Sequence, residues 1–256
     1  MPSFNLVQPI NAPSEVVWQA LSRPGGLTAW QADEVEGSVE QGSRLILRYP
    51  ALGAEAEVEV TELTAGKRIA LAWGAHQVSF CIEAGGVALE CSGITDEEEL
   101  RGTGSAWTLS LATLAHYCEH HQGRSRSVCW LKGRATASPD VLHTYLTDAW
   151  AQNSWLGAGT GFGEVGSHVR IELSKELQLS GKVLAHTPGR DVLVSWTDDD
   201  DSVIAFRSLP SPISDDRIVA VLWSRWSAQA PKAGALSCLR TAHSRLITVL
   251  GRSGQA

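Results

Sequence analysis

The sequence predicts an α+β fold made of two copies of one domain, each a curved antiparallel sheet wrapped on a long C-terminal helix. Three observations lead to this prediction. The chain repeats itself once, with a period of about 125 residues. Within each copy the apolar residues first follow helical spacing, then alternate along several short strands, and finally return to helical spacing. Residues typical of turns separate the alternating stretches, as expected for an antiparallel meander.

The internal repeat matches the residue types that constrain a fold most strongly. A shift of 125 positions places Trp30 on Trp155, and after two small deletions a shift of 123 places Trp73 on Trp196. A period of this length far exceeds the roughly 20–50 residues of a solenoid repeat. Each copy is therefore predicted to be a complete domain.

A boundary between the two copies is predicted in the polar stretch 122–127, where the periodic pattern lapses around a glycine. We therefore expect a first domain at residues 1–124 and a second at residues 125–256.

The first helix of each copy has recognisable start signals. Pro13 suits the first position of a helix because its missing N–H has no partner there, and the run 23–26, Arg-Pro-Gly-Gly, is predicted to end this helix. In the second copy Ser138 is predicted as the N-cap and Pro139 as the first helical residue.

Alternating apolar residues then predict five strands in the first copy. Their shared faces carry Leu45, Leu47 and Tyr49; Val58 and Val60; Ile69, Leu71 and Trp73; Val78, Phe80 and Ile82; and Val87, Leu89 and Cys91. A final helix is predicted from about residue 105 to 121, and its counterpart from about 235 to 250. Since this helix alone is long enough to cover the apolar face of a bent sheet, we expect a ligand cavity between helix and sheet.

Charge and composition exclude several classes of protein. The formal net charge is −7, but residues 1–124 carry 7 Lys and Arg against 16 Asp and Glu, whereas residues 125–256 carry 14 against 12. An acidic first half would repel a phosphate backbone, and no basic stripe interleaved with aromatic residues compensates in the second. Nucleic acid is not expected as a partner.

The cellular setting is predicted from the N-terminus, the longest apolar run and the cysteines. Residues 1–13 show no basic stretch followed by an apolar run, so no secretory signal is predicted. The longest apolar run, 218–223, is too short to cross a bilayer. The five cysteines are scattered without a Cys-x-x-Cys pair, which indicates reduced thiols. We expect a cytoplasmic protein without membrane insertion.

The first copy carries four distinctive motifs: Ile10–Leu21, Val58–Leu63, Gly66–Ile69 with Trp73, and Gly102–Trp107. These motifs resemble those of the Hsp90 ATPase activator-like (AHSA-type) proteins of the START/Bet v 1-like superfamily. The resemblance spans residues 4–121 and is weaker over 127–251, because the second copy has Ala230–Gly234 in place of the Gly-Trp motif before its last helix.

The resemblance implies a helix-grip fold with an interior cavity in each copy. It does not imply a single function, since the relatives include co-chaperone domains, carriers of hydrophobic ligands and polyketide cyclases. We expect the chain to bind a small hydrophobic molecule rather than to be an enzyme. Two alternatives stay open: a cyclase, dehydratase or hydrolase that uses buried acid/base residues, and a protein-interaction or co-chaperone-like module whose partner the sequence does not specify.

Aromatic residues are the candidates for the lining of the cavity. The chain has ten Trp against three Tyr and four Phe. The candidates are Trp30, Trp73, Phe80 and Trp107 in the first copy, and Trp155 and Trp196 in the second. Trp30 and Trp155, like Trp73 and Trp196, recur at equivalent positions in the two copies. This recurrence also fits a second interpretation, in which these four side chains brace helix against sheet.

Other motifs are interpreted without a cofactor or metal. His116 and His120 have the spacing of helical zinc ligands, but a third ligand and the glutamate of the His-Glu-x-x-His motif are missing. The acidic runs 96–99 and 198–201 are predicted as solvated surface loops. The glycine-rich run 157–163 lacks the Lys-Ser/Thr of a phosphate loop, and we expect a flexible loop at the rim of the second cavity.

Overall fold

The computed structural model describes residues 2–210 and 216–253. The chain divides into two compact units, Met1–Ser127 and Val128–Ala256. Each unit has its own seven-stranded antiparallel sheet and its own long C-terminal helix.

The first unit contains seven strands and three α-helices. In chain order they are β1 (Phe4–Pro9), α1 (Ser14–Ser22), α2 (Pro24–Trp30), β2 (Glu34–Gly37), β3 (Arg44–Tyr49), β4 (Ala54–Thr64), β5 (Arg68–Trp73), β6 (His76–Glu83), β7 (Gly86–Ser92) and α3 (Glu97–His120). The sheet has the strand order β1-β7-β6-β5-β4-β3-β2. Strands β2 to β7 therefore form a continuous meander, and β1 pairs with the last strand.

The second unit repeats this arrangement. Its elements are β8 (Ser127–Ala135), α4 (Pro139–Thr147), α5 (Ala149–Asn153), β9 (Ala158–Gly159), β10 (His168–Glu172), β11 (Gln178–Thr187), β12 (Asp191–Trp196), β13 (Ser202–Pro210), β14 (Arg217–Arg225) and α6 (Ala235–Ser253). The strand order is β8-β14-β13-β12-β11-β10-β9. The predicted α+β fold of two helix-grip domains is confirmed.

The predicted strand faces lie in the core of the first unit. Val58, Val60 and Val87 are fully buried, and Leu45 and Leu89 are 1% exposed. The alternation of more buried and less buried residues along β3, β4, β5 and β7 follows from the two-residue period of a strand, which directs one set of side chains toward α3. Apolar burial on this scale is the main contribution that holds helix to sheet.

Four elements of the first unit extend beyond the prediction. Strands β1 and β2 and helix α2 are additional, and α2 begins at Pro24, so the run predicted to end the first helix instead starts the next one. Helix α3 begins at Glu97 rather than near residue 105. Asp96 caps it by accepting a hydrogen bond from the Glu99 N–H (2.9 Å), and three glutamates in the first turn favour its positive end.

The predicted acidic surface loop at 96–99 is therefore wrong, because these residues form the cap and first turn of α3. The glycines at positions 102 and 104 do not interrupt the helix. The cost of glycine in a helix, about 1 kcal/mol each, is outweighed by the packing of the helix against the sheet.

The first unit ends three residues later than the predicted boundary. Arg126 is the reason, since its side chain is only 3% exposed. Its guanidinium donates hydrogen bonds to the carbonyl oxygens of Trp30 (3.0 Å) and Ala32 (2.6 Å). Burial lowers the pKa of Arg126 to about 10. A buried cation needs such partners, so residues 125–127 are part of the first unit.

The glycine-rich run of the second unit is partly ordered as a strand. Its residues 158–159 form β9, which pairs with β10 through Ile171 and Glu172. At Gly159 a Cβ would collide with the carbonyl oxygen of Arg170. The glycine thus permits two backbones to approach closely, which is a different role from the flexible loop that the sequence predicts.

All five cysteines are free thiols. Burial raises the pKa of Cys91 to about 11 and that of Cys118 to about 12. Of the helices in residues 2–210 and 216–253, none combines the length and apolar character needed to cross a bilayer.

Candidate functional site

Four aromatic side chains form a connected row between α3 and the sheet of the first unit. The row runs from Trp30 through Phe80 and Trp107 to Trp73. Its three contacts are all edge-to-face, with centroid distances of 6.2 Å, 5.5 Å and 5.6 Å in that order. Edge-to-face packing places the positive ring edge on the negative face of its neighbour and stabilises each pair by about 0.5–1.5 kcal/mol.

The aromatic row leads from the core toward solvent. Trp30 is 2% exposed, Phe80 3% and Trp107 6%, whereas Trp73 is only half-buried. The indole N–H of Trp30 donates to the carbonyl oxygen of Ala20 (3.0 Å), which fixes the inner end of the row to α1. The four candidates predicted in the first copy are thus brought together, with Trp73 at the edge that solvent reaches.

His76 lies beside Trp73 at this solvent edge. The two residues are directly paired across β5 and β6, so their side chains point to the same face of the sheet. The imidazole Nε2 of His76 is 3.1 Å from the Glu99 carboxylate on the first turn of α3. The pair therefore connects the β5–β6 hairpin to the start of the helix, at the end of the aromatic row.

Glu99 is held as a carboxylate. It accepts hydrogen bonds from the backbone N–H (2.6 Å) and the hydroxyl (2.7 Å) of Thr95, and these two bonds, followed by the contact with His76, lower its pKa to about 2. A carboxylate on Nε2 favours the tautomer in which Nε2 carries the proton, which leaves Nδ1 as a proton acceptor. The arrangement can position an imidazole and accept a proton.

The second unit repeats the inner end of the row. Trp155 packs edge-to-face on Phe206 at 5.6 Å, and Phe206 holds the position on β13 that Phe80 holds on β6. The indole N–H of Trp155 donates to the carbonyl oxygen of Tyr145 (2.7 Å), the residue 125 positions after Ala20. The same hydrogen bond and the same ring contact thus recur in both units.

The outer end of the row differs in the second unit. Trp196 is fully buried, and its indole N–H donates to the carbonyl oxygen of Gln178 (2.9 Å). Its ring packs on Trp223 of β14 at 5.6 Å, whereas Trp73 packs on a tryptophan of the helix. The position of His76 is taken by Ser202, which is 1% exposed and accepts the Trp223 indole N–H (3.0 Å).

A longer hairpin covers this corner of the second unit. Two residues connect β5 to β6, but five connect β12 to β13, and Asp199 in that longer turn is 3% exposed. Asp199 accepts two hydrogen bonds from Arg225, at 2.7 Å and 3.3 Å, and Arg225 also lies over the ring of Trp223 at 5.5 Å. The backbone N–H of Lys232, just before α6, donates to the same carboxylate at 3.4 Å.

The two corners differ in the residue at the equivalent position near the end of the last strand. Gly93 directly follows β7 and Arg225 occupies the equivalent position at the end of β14. A Cβ at Gly93 would collide with the carbonyl oxygen of Ala75 in the short hairpin. The short hairpin thus requires glycine, and the longer one gives room for a buried arginine.

The prediction that the acidic run 198–201 is a solvated loop is wrong for Asp199. The Asp199 side chain is 2% exposed and forms an ion pair with Arg225, whose side chain is 7% exposed. A run of four identical residues offers no signal that one of them faces inward. His76 and Glu99 were also missed, because no local spacing relates two residues that are 23 positions apart.

The two histidines on α3 that have the sequence spacing of zinc ligands lie close together. The rings of His116 and His120 are 4.6 Å apart. Within residues 2–210 and 216–253, no group of three or more His, Cys, Asp or Glu side chains has the arrangement of a metal site.

The fold is that of two helix-grip domains in tandem. Residues 11–119 match the sequence model of the family described as Activator of Hsp90 ATPase homolog 1-like protein. The first unit is thus similar to that family, and the resemblance found in the sequence is confirmed. No curated protein matches the chain.

Several solved structures are similar to this chain at low identity. The Aha1 dimer from Colwellia psychrerythraea is 21% identical, covers 48% of this chain and 100% of its own, and has a TM-score of 0.43. A protein from Staphylococcus saprophyticus is 22% identical over 46% of this chain and 93% of its own, with a TM-score of 0.41. The di-domain ARO/CYC BexL from the BE-7585A biosynthetic pathway is 15% identical over 100% of this chain and 99% of its own, with a TM-score of 0.43.

The Glu99 carboxylate is expected to make the stability of the first unit depend on pH. Because its pKa is lowered from 4.5 to about 2, its contribution is present above pH 4.5 and is lost as pH falls toward 2. Glu99→Gln should reduce the free energy of unfolding at pH 7 and converge with the wild type near pH 2. Urea unfolding across this pH range tests it, with Glu97→Gln on the same helical turn as the matched control. Parallel curves for wild type and Glu99→Gln would contradict the expectation.

The buried pair in the second unit is expected to respond differently to single and double changes. Arg225→Met leaves the Asp199 carboxylate buried without its cation, and should reduce the free energy of unfolding by about 3–5 kcal/mol. The double variant Asp199→Asn, Arg225→Met removes both charges and should recover a large part of that loss. Chemical denaturation of these two variants and of the single variant Asp199→Asn measures the coupling, and simple additivity of the two single effects would show that the pair is not coupled.

Proposed function

We propose that the first unit binds a small hydrophobic molecule at the solvent end of its aromatic row, between α3 and the sheet. The observation that carries this proposal is the exposure gradient along the row, from 2% at Trp30 to a half-buried Trp73. A ligand that covers the open side of Trp73 would add one more ring contact to the aromatic row. Apolar walls with a few polar groups at one end are typical of small-molecule sites.

The contrast between the two units supports this assignment. At the corresponding corner of the second unit, Trp196 and Trp223 are 0% and 3% exposed, and Arg225, which is paired with Asp199, lies over the ring of Trp223. A ligand there would have to break a buried ion pair, which costs several kcal/mol. The second unit is thus closed where the first is open, and we assign ligand binding to the first unit.

The polar groups at the mouth are suited to orienting a ligand. His76 and Glu99 have side-chain exposures of 22% and 33%, so they can meet a polar atom of a bound molecule without a large rearrangement. The expected ligand is therefore an aromatic or alicyclic molecule with a polar group at one end. Its identity is not specified by these contacts.

Replacement of Trp73 tests the site. The neutral dye N-phenyl-1-naphthylamine should bind the wild type with an increase in fluorescence, and Trp73→Gln should bind it about ten-fold more weakly because one stacking face is lost. Trp150→Gln is the matched control, since Trp150 is 84% exposed in the second unit. Equal affinity of wild type and Trp73→Gln would refute the site. Native mass spectrometry of the purified protein can then identify a molecule carried from the cell.

A second candidate function is proton transfer to or from the bound molecule, which would place the protein among cyclase-type or hydrolase-type enzymes. The observation that favours it is the His76–Glu99 pair, because a carboxylate that holds one imidazole nitrogen prepares the other as a general base. In the first unit this base lies beside the proposed aromatic site.

The base can be tested with a small aromatic probe whose reaction needs only the removal of one proton. In 5-nitrobenzisoxazole a base takes the C–H proton, the N–O bond breaks, and a coloured cyanophenolate forms. The wild type should accelerate this reaction, and His76→Gln should lower the rate by about 10²-fold or more. Dye affinity should stay unchanged in that variant. If the wild type and His76→Gln react at the same rate, the imidazole of His76 is not catalytic. This result would not contradict the proposed binding site.

A further inference from the structure

The last helices of the two units have opposite charge. Helix α3 carries four glutamates and one arginine, whereas α6 carries no Asp or Glu at all between residues 235 and 253. The buried side of α6 includes Leu239, Leu246 and Leu250, which pack in the core of the second unit. The opposite side of α6 is polar, basic and exposed.

A groove of about 560 Å³ lies along this polar side of α6. Six of its lining residues are polar, and Val249 completes the wall: the six are Ser154, Arg240, Thr241, Ser244, Arg245 and Thr248. At about 100° per residue, the two arginines stand at the edges of an arc of roughly 140°, and the hydroxyl side chains of α6 lie between them. Ser154, at the end of α5, forms the facing side.

Four of the six polar side chains of this groove have free donor capacity. Within residues 2–210 and 216–253, the guanidinium groups of Arg240 and Arg245 form no ion pair, and the hydroxyls of Thr241 and Ser244 donate to no protein acceptor. The hydroxyls of Ser154 and Thr248 donate to the carbonyl oxygens of Ala151 and Ser244. None of the described residues that line the groove carries a carboxylate. By contrast, Arg207 in the same unit is paired with a carboxylate at 2.9 Å. Two unpaired guanidinium groups near each other repel unless an anion lies between them.

We propose that this groove binds the phosphate group of a phosphorylated organic molecule. Guanidinium groups form two parallel hydrogen bonds with phosphate oxygens, and hydroxyl donors between them can complete the coordination. The volume exceeds that of a phosphate ion, so the groove also has room for the organic part of an ester.

This proposal is independent of the hydrophobic site in the first unit. The two sites share no residue, and the groove lies on the side of α6 that faces away from its sheet. A phosphate ester could come from a free metabolite or from a lipid headgroup, and both present the same chemistry to the arginines.

Titration of the full chain with phenyl phosphate at pH 7.5 and low ionic strength tests the groove. Isothermal calorimetry should show one binding event, and Arg240→Gln and Arg245→Gln should each weaken it by about ten-fold because a charge-assisted bidentate contact is lost. Arg170→Gln is the matched control, since Arg170 is an exposed arginine of the second unit that does not line the groove. Its affinity should equal that of the wild type.

A second arm distinguishes the two sources of the phosphate. Co-sedimentation with phosphatidylglycerol vesicles that is lost in the double variant Arg240→Gln, Arg245→Gln, and absent with phosphatidylcholine vesicles, indicates a lipid headgroup. Binding of phenyl phosphate without vesicle binding indicates a free ester. The proposal is overturned if neither probe binds, if the double variant binds as well as the wild type, or if Arg170→Gln loses as much affinity.

Discussion

The structure of each unit depends on one contact between a tryptophan at or just after the end of the second helix and a phenylalanine in the middle of the sheet. Trp30 meets Phe80 edge-on in the first unit, and Trp155 meets Phe206 in the second. In both, the indole N–H is satisfied by a carbonyl oxygen of the preceding helix, so the ring can be fully buried without an unpaired donor. This hydrogen bond fixes the ring, and the ring fixes the distance between the helices and the sheet. Its recurrence identifies Trp30 and Trp155 as parts of the shared scaffold.

Away from that contact, the two units solve the same structural problem differently. The hairpin between the fourth and fifth meander strands must meet the start of the last helix in each unit. In the first unit a two-residue hairpin does so through His76 and Glu99, which stay partly exposed. In the second, three additional residues allow Asp199 to fold inward onto Arg225. The first arrangement leaves partly exposed polar side chains beside the aromatic row. The second places a buried ion pair at the equivalent corner.

The difference between the two corners fits the proposal that the two units bind different kinds of molecule. The corner of the second unit is closed, and opening it would expose a buried ion pair and two tryptophans. Its exposed helix surface has in turn become basic and hydroxyl-rich, with donors that no carboxylate neutralises. The first unit keeps acidic residues on its helix and an open aromatic edge. Equal folds thus present two chemically distinct surfaces, one apolar and one cationic.

The sequence alone determined the class of fold, the duplication and most strand faces, because periodicity and turn residues act locally and repeat in both copies. It also identified the six aromatic candidates, since size and recurrence are visible without coordinates. Only the tertiary structure decided which aromatic edge is open, because exposure depends on the length of a distant hairpin. It also decided that Glu99 meets His76 and that one aspartate of a uniform acidic run is buried beside Arg225. Contacts between residues more than 20 positions apart are set by how strands and helix pack, and no local pattern in the chain encodes them.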